Sequence, residues 1–351
     1  MKVLHVVPWE PPSDFVLKDM QYLRSIGGIE TGILTVGAMG QSWVGEELIS
    51  LMRMVKRSRR IDEFRPDVVH CHFLVSLIGT LFCHYPVVVT THDSCDVYGR
   101  LSRALIKRMA VGAILIHVSD YNRRYWAPRL GKSGDVVYHA IDTSFYNPHR
   151  RNERIRSRVC EFLGSEKWVM TMGPLEYSRG HHAVLDALSR LARRGEAPGL
   201  VVKGYGGGER YARFLCERAQ ELNVPLLLIR QKMPDSVLAS LLASSDAFIR
   251  PTTRESFGIA VLEAQACGVP TLVNNCCSLS EVFGSSSMLF NIENTFDLAE
   301  KIGLIVNNDS VRTELIGSGL ENAAKLTWDR KIESYARIYN KALTQDRRTS
   351  R

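Results

Sequence analysis

Glu255 and Glu263 stand eight residues apart in the stretch DAFIRPTTRESFGIAVLEAQACGVPTLVNNCCSLSE, residues 246–281. Between and beyond them the run SFGIAVLEAQAC has the apolar spacing of a helix and stops at Gly268. At about 1.5 Å per helical residue the two glutamates lie roughly 12 Å apart along the axis. That matches the span from a sugar to a ribose across a diphosphate. One carboxylate can then hold sugar hydroxyls and the other ribose hydroxyls. Ser256 reads as the N-cap, so the N–H groups of Phe257, Gly258 and Ile259 would point out of the helix start toward a phosphate. Gly258 keeps that approach open. The plainer reading is a surface helix carrying two solvated glutamates, since glutamate is a common helix residue.

The elements around this pair are those of a parallel sheet. Residues 247–249 form a short apolar strand ended by Pro251, and residues 271–273 form a second one after Pro270. Strand, loop, helix and strand together make one unit of an α/β sheet. The alternation recurs along the chain. Strands are predicted at 2–7, 29–36, 67–72, 86–91 and 113–118, and again at 168–172, 200–203 and 226–229, with helical patterns between them. The run 46–64 reads as a single helix, and 328–339 carries the apolar stripe of another. The tail 345–351 is expected to fray.

The chain has 351 residues, enough for two domains with full cores. No apolar run is long enough to span a bilayer, and the short apolar N-terminus reads as a first strand rather than a signal sequence. Eight cysteines without a C-x-x-C pattern suggest neither a zinc site nor a disulfide framework, which points to a reducing cytosol. The net charge of +8 is uneven: residues 1–158 hold 22 Lys/Arg against 15 Asp/Glu, the remainder 23 against 22. A basic first half suggests an anionic partner surface, lipid or nucleic acid, with solubility alone as the alternative. The segment 98–110 places Arg100, Arg103, Lys107 and Arg108 among Leu101, Leu105, Ile106 and Met109, a basic amphipathic pattern that suits a membrane surface.

PTTRESFGIAVLEAQACGVP closely resembles the E-x7-E signature of retaining glycosyltransferases of family 4, and the resemblance runs over nearly the whole chain. It implies the GT-B fold, two Rossmann-like α/β domains facing a cleft, with the last helix crossing back to the first domain. On that basis residues 1–155 are the acceptor-binding domain, 156–328 the nucleotide-sugar donor domain and 329–345 the returning helix. The implied activity is hexosyl transfer, with retention, from a nucleotide-diphosphate sugar to a hydroxyl of a glycan or lipid-linked acceptor. The enzyme would be cytoplasmic or peripheral on the inner face of the membrane, with no nucleic acid partner. No Asp-x-Asp motif is present, so no metal or other cofactor is expected. A degenerate member that binds nucleotide-sugar or acts as a scaffold is the alternative.

The resemblance also assigns roles. The D-V-V-H-x-H segment places His72 at a strand end, either packed or facing the cleft. His92, after PVVVTT, corresponds to the family's histidine near the donor sugar and is the first catalytic candidate, with Glu255 and Arg179. GPLEYSRG, 173–180, resembles G-R-L-x-x-x-K-G, whose two cations bind the donor diphosphate. Gly173, Leu175 and Gly180 match, and Arg179 stands for the lysine. Pro174 stands for the arginine and carries no charge. Lys203, Arg230 and Arg254 are the candidates to compensate. Gly204, in the glycine-rich turn after the next strand, and Glu281, in a segment like P-E-V, complete the donor-binding set. That set also contains Glu263, Ser256, Phe257, Gly258, Ile259 and Gly173. Pro11 and Pro12 replace the family's Gly-Gly loop after the first strand, which stiffens it.

Overall fold

The computed structural model describes residues 1–37, 47–95, 97–195 and 197–349. It divides into two compact units, one of residues 1–139 with 328–351 and one of residues 140–327.

In the N-terminal unit β1 (Lys2–Val7), α1 (Asp14–Ser25), β2 (Glu30–Thr35), α2 (Glu47–Ser58), α3 (Ile61–Phe64) and β3 (Val68–His72) come first. A 3-10 stretch (Leu74–Thr80) then leads to β4 (Val87–Thr91), α4 (Arg100–Gly112), β5 (Ile114–His117), α5 (Asp120–Leu130) and β6 (Asp135–Val136). The strands form a parallel sheet in the order β2-β1-β3-β4-β5-β6. Val3, Val6, Val68, Val69, Val88 and Val89 are fully buried, as strands covered on both faces require. The predicted helix over 46–64 is two helices, broken after Ser58, with Arg65 in the left-handed conformation at the second end. Residue 46 lies outside the described residues.

The C-terminal unit contains α6 (Glu153–Leu163), β7 (Trp168–Pro174), α7 (His181–Ala192), β8 (Gly199–Tyr205), α8 (Glu209–Glu221), β9 (Leu226–Ile229) and α9 (Asp235–Ala243). It continues with β10 (Ala247–Arg250), α10 (Ile259–Ala266), β11 (Thr271–Asn274), α11 (Cys277–Phe283), β12 (Met288–Phe290), α12 (Thr295–Asn307) and α13 (Asp309–Lys325). Its parallel sheet runs β12-β11-β10-β7-β8-β9. The strand order reverses between β7 and β10. Ligands of doubly wound sheets bind outside the carboxyl ends of the strands at such a switch point.

Residues 140–155, which the sequence reading placed with the first domain, pack with the second unit. Asn152 N–H donates to Ser244 Oγ at 3.0 Å, and the N–H of Ile141 bonds the carbonyl of Leu326 at 2.9 Å. The last helix, α14 (Trp328–Thr349), belongs to the N-terminal unit and stays helical through the span expected to fray; residues 350–351 lie outside the described residues. Its buried stripe of Trp328, Ile332, Tyr335 and Tyr339 explains the return. Trp328 stacks on Tyr22 with centroids 4.3 Å apart, and Lys331 forms a buried ion pair with Asp19, which also accepts from Tyr335 at 3.3 Å. Burial pushes the Asp19 carboxyl up, and Lys331 pulls it back.

Candidate functional site

β7 and β10 are adjacent, and a largely buried cluster of charged residues lies at their carboxyl ends. Arg250, the last residue of β10, is 7% exposed. Its Nη1 donates to the carbonyl of Met172 on β7. Its Nε and Nη2 donate to Glu255 Oε2, the former at 3.0 Å. Arg179 Nη1 lies 3.9 Å from the same carboxylate oxygen. Burial alone would raise the pKa of Glu255, but Arg250 and Arg179 bring it below the ordinary value, so the carboxylate is ionised.

Two loops hold this cluster. Arg179 ends a 3-10 turn (Tyr177–Arg179) that is bonded to the loop after β10. Thr253 N–H and Thr252 Oγ1 donate to the carbonyl of Ser178 at 3.0 and 3.2 Å, and Arg179 Nη1 donates to that of Arg254 at 3.2 Å. Gly180 closes the turn at φ 70°, where an added Cβ would meet the Pro251 oxygen at 2.1 Å. His181 lies under it, bonded to Thr171 at 2.9 Å and to the Pro174 carbonyl at 3.3 Å. Burial lowers its pKa to about 3, so the imidazole is neutral.

The helix start differs from its sequence prediction. α10 begins at Ile259 with Gly258, not Ser256, as N-cap. Val261 and Leu262 N–H donate to the Gly258 carbonyl, which leaves the amides of Ile259 and Ala260 outside the helix's own ladder. Ser256 instead gives its backbone N–H to Glu255. Gly258 has φ 108°, and a Cβ there would meet Leu279 and Phe283 at 2.9 Å, so glycine is required by packing as well as by backbone conformation. The Phe257 side chain is buried against Phe283. Glu263 lies on α10 and accepts a hydrogen bond from Tyr146, whose hydroxyl pKa is raised by burial and by that carboxylate.

The glycine-rich segment packs on Leu175, with Gly204 inside β8 rather than in the turn where it was expected and Gly206, Gly207 and Gly208 following the strand. A Cβ on Gly204 would meet that side chain at 2.6 Å, and one on Gly207 would meet its carbonyl oxygen at 2.3 Å. Leu175, Tyr205, Gly206, Gly207, Arg230 and Gln231 line a cavity of about 480 Å³ at the ends of β8 and β9. Burial raises the Tyr205 hydroxyl pKa, with smaller opposing effects from Arg250 and Arg179 and from Glu255 and Glu263. Of the residues expected to compensate for Pro174, Lys203 turns back onto the Gly204 carbonyl at 3.0 Å. Arg230 pairs with Glu209 at 2.8 Å, and Arg254 contributes its carbonyl to Arg179. Glu281 lies on α11.

In the N-terminal unit His92 follows β4 and is buried. Its Nε2 bonds His72 Nδ1 at 3.1 Å, and His72 Nε2 bonds His5 Nδ1 at 2.9 Å. His72 is fully buried rather than open to solvent. His70 bonds Tyr339 at 2.8 Å and Thr90 at 2.7 Å. Donor atoms of His5, His70 and His72 lie within 4.8 Å of one another, a grouping that a metal could use. However, both ring nitrogens of His70 and of His72 are already engaged in these hydrogen bonds. Burial pushes all these imidazoles well below their ordinary pKa. His92 is packed by Phe15 and Phe73 with centroids 4.5 and 4.9 Å away, and its Nδ1 has no hydrogen-bond partner among the described residues. Asp93 fixes the following loop by accepting from Leu74 N–H at 3.1 Å and from the Tyr98 hydroxyl.

Comparison with known proteins places this architecture. The model of group 1 glycosyl transferases matches residues 156–321, and that of Glycosyltransferase Family 4 matches residues 27–145. The O-antigen chain mannosyltransferase B of Escherichia coli is 32% identical over 262 residues, 69% of this chain and 67% of that protein. The chain belongs to glycosyltransferase family 4. A D-inositol 3-phosphate glycosyltransferase of Corynebacterium urealyticum is 26% identical over 58% of this chain. The chain spans about half the length of that relative, 50%. Among solved structures, sucrose-phosphate synthase from Thermosynechococcus elongatus has a TM-score of 0.82 at 15% identity, covering 98% of this chain and 100% of its own. Anabaena HepE in complex with UDP and glucose has a TM-score of 0.78 at 16% identity, covering 97% and 100%. These likenesses establish the GT-B fold for this family 4 chain.

The sequence reading missed three residues of the site, Arg250, His5 and Tyr146. His5 had a signal: it is a polar residue inside an otherwise apolar central strand, where an unexplained polar group needs a partner; Arg250 ends such a strand.

Proposed function

We propose that the chain transfers a hexosyl group, with retention, from a nucleotide-diphosphate sugar to a hydroxyl of a glycan or lipid-linked acceptor. The observation that carries this reading is the largely buried cluster of Arg179, Arg250 and Glu255 at the switch point of the C-terminal sheet, with an open cavity at the ends of the neighbouring strands β8 and β9. In this reading the nucleoside enters the cavity beside Tyr205, Glu263 holds the ribose and Glu255 the sugar. The diphosphate lies at Arg179 and the amides of Ile259 and Ala260. The ionised state of Glu255 suits it to accept from sugar hydroxyls, and the arginines oppose charge that develops on the leaving diphosphate. Same-face attack by the acceptor through an oxocarbenium-like state would need no carboxylate nucleophile, and the departing diphosphate would take the acceptor's proton. His92 is the catalytic candidate of the N-terminal unit. No metal step is needed in this scheme.

The test is a calorimetric screen of UDP-, GDP- and ADP-sugars, followed by a transfer assay with NMR of the product's anomeric proton. Binding of one donor and an unchanged anomeric configuration are expected. Inversion overturns the retaining mechanism, and tight donor binding without transfer or hydrolysis favours the degenerate, binding-only alternative.

We also propose a peripheral contact with anionic membrane. On α4 the chains of Arg100, Arg103, Lys107 and Arg108 are exposed beside Leu101 and Val111, and on α2 those of Arg53, Lys56 and Arg57 beside Met52. Both helices pack on the 3-10 stretch, whose continuation exposes Leu81 and Phe82. Cations around exposed apolar side chains suit an anionic interface. Among the described residues no helix is long and apolar enough to cross a membrane. Co-sedimentation with phosphatidylglycerol vesicles, and not with phosphatidylcholine vesicles, is expected, and Phe82→Ser should weaken it; equal partition to both overturns the contact.

A further inference from the structure

We propose that Arg250 supplies the second positive charge for the donor diphosphate, in place of the cation that Pro174 cannot provide. This inference rests on the nucleotide-sugar reading above.

Location is the first ground. Pro174 is the last residue of β7, and Arg250 is the last residue of β10, the strand beside it at the switch point. The Arg250 guanidinium reaches across to β7, bonds the Met172 carbonyl and lies over Gly173. A Cβ on Gly173 would stand 2.9 Å from Arg250 Nη1 and 3.9 Å from Arg179 Cδ. The two guanidinium-bearing chains thus flank one glycine, the residue immediately before the position that lacks its charge. A side chain at residue 173 would push Arg250 away.

Charge is the second ground. Arg179 and Glu255 alone would sum to zero, and a neutral pair has little to offer a diphosphate. Adding Arg250 gives two cations and one carboxylate, a net +1 within one contact shell. Hydrogen-bonding capacity is the third ground. A guanidinium has five N–H groups. Three contacts of Arg250 are to Glu255 and Met172, which leaves one N–H on each terminal nitrogen. Beside it, buried Arg179 Nε has no partner among the described residues. These donors sit at the edge where ligands of such sheets bind.

The alternative is that Arg250 only positions Glu255. The experiment separates the two by measuring UDP, GDP and ADP against the matching nucleosides by calorimetric competition, in wild type, Arg250→Gln, Arg250→Lys and Arg250→Gln/Pro174→Arg. Gln keeps a hydrogen bond to Glu255 and removes the charge. Loss of a charged hydrogen bond should weaken the bound diphosphate about 10- to 100-fold, while nucleoside affinity stays unchanged. Arg250→Lys should retain most of the affinity, and Pro174→Arg should restore it in the Arg250→Gln background. Unchanged diphosphate affinity, or equal weakening of diphosphate and nucleoside, overturns the inference while the nucleotide-sugar reading stands. Failure of wild type to bind any of the three diphosphates overturns both. If Arg250→Gln does not fold, the Lys variant decides alone: a diphosphate loss as deep as that of Arg179→Ala, with nucleoside affinity intact, overturns a role carried by charge.

Discussion

Six histidines of the N-terminal unit, His5, His70, His72, His92, His117 and His139, have pKa values lowered by burial. Glu255 of the C-terminal unit is buried too, yet its pKa is below the ordinary carboxylate value because two arginines flank it. The same physical penalty, desolvation, has opposite outcomes in the two units. Where neighbours are other rings and hydroxyls, the neutral form is selected. Where an opposite charge is in contact, the ion survives. One unit thus offers neutral donors and acceptors, and the other offers fixed charge. The Lys331–Asp19 pair is the exception: an ion pair sits inside the neutral unit, and there burial still outweighs Lys331 and leaves the Asp19 pKa raised.

That exception provides the largest expected effect. Lys331→Met leaves Asp19 buried without its cation and should destabilise the N-terminal unit by about 3–5 kcal/mol. Urea unfolding read by pulse proteolysis of each unit measures it; a loss shared equally by both units would show that the contrast is not local. Next is Glu255→Gln, which removes the carboxylate between two arginines. If the transfer reading holds, kcat should fall by about 10²–10³, with little change in Tm. A loss of Tm without a loss of kcat would make the cluster structural.

Acid should separate the units further. A histidine whose folded pKa is below its unfolded value takes up a proton on unfolding. Its contribution to stability is therefore present above about pH 6.5 and lost as pH falls from there toward the folded value, at up to about 1.4 kcal/mol per pH unit for each ring. For His5 the folded value is about 3. Glu255, with a lowered folded pKa, keeps its contribution until pH falls through the carboxylate range. In the C-terminal unit only His181 and His182, among the described residues, show a lowered histidine pKa. Between about pH 6.5 and about pH 5 the N-terminal unit should lose stability more steeply, read by the same proteolysis assay; parallel slopes would remove the distinction. The smallest effect is Tyr146→Phe, which deletes one hydrogen bond to Glu263. Donor affinity should drop by a factor of about 5, near 1 kcal/mol, with kcat held.

The fold was legible because its strands are short continuous apolar runs between helical patterns, and a strand buried on both faces has to read that way. Glu255, Arg179 and His92 were singled out through resemblance to family motifs, and the structure places Arg179 beside Glu255. Ser256 misled because Ser is a favoured cap, whereas the helix start is set by the tertiary contact of Gly258 with Leu279 and Phe283. That contact joins residues more than twenty positions apart, and local propensity carries no record of it. Arg250 was passed over for a similar reason. In AFIR it reads as a strand end, and its partners, Met172 and Glu255, are brought to it by β7 and by a loop. The predicted boundary lies after the division between the two compact units because a charged run, 150–158, resembles a linker even when its helix packs onto β8 and β9.

The bonded row of His5, His72 and His92 has a polarity. A neutral imidazole holds one proton, so each ring donates through one nitrogen and accepts through the other. Ring-to-ring bonds at 2.9 and 3.1 Å therefore line up in one of only two senses, like links in a one-way chain. In the first sense His92 Nδ1 presents a proton; in the second it presents a lone pair. The tautomer of His5, on β1, thus dictates at a distance what His92 can offer.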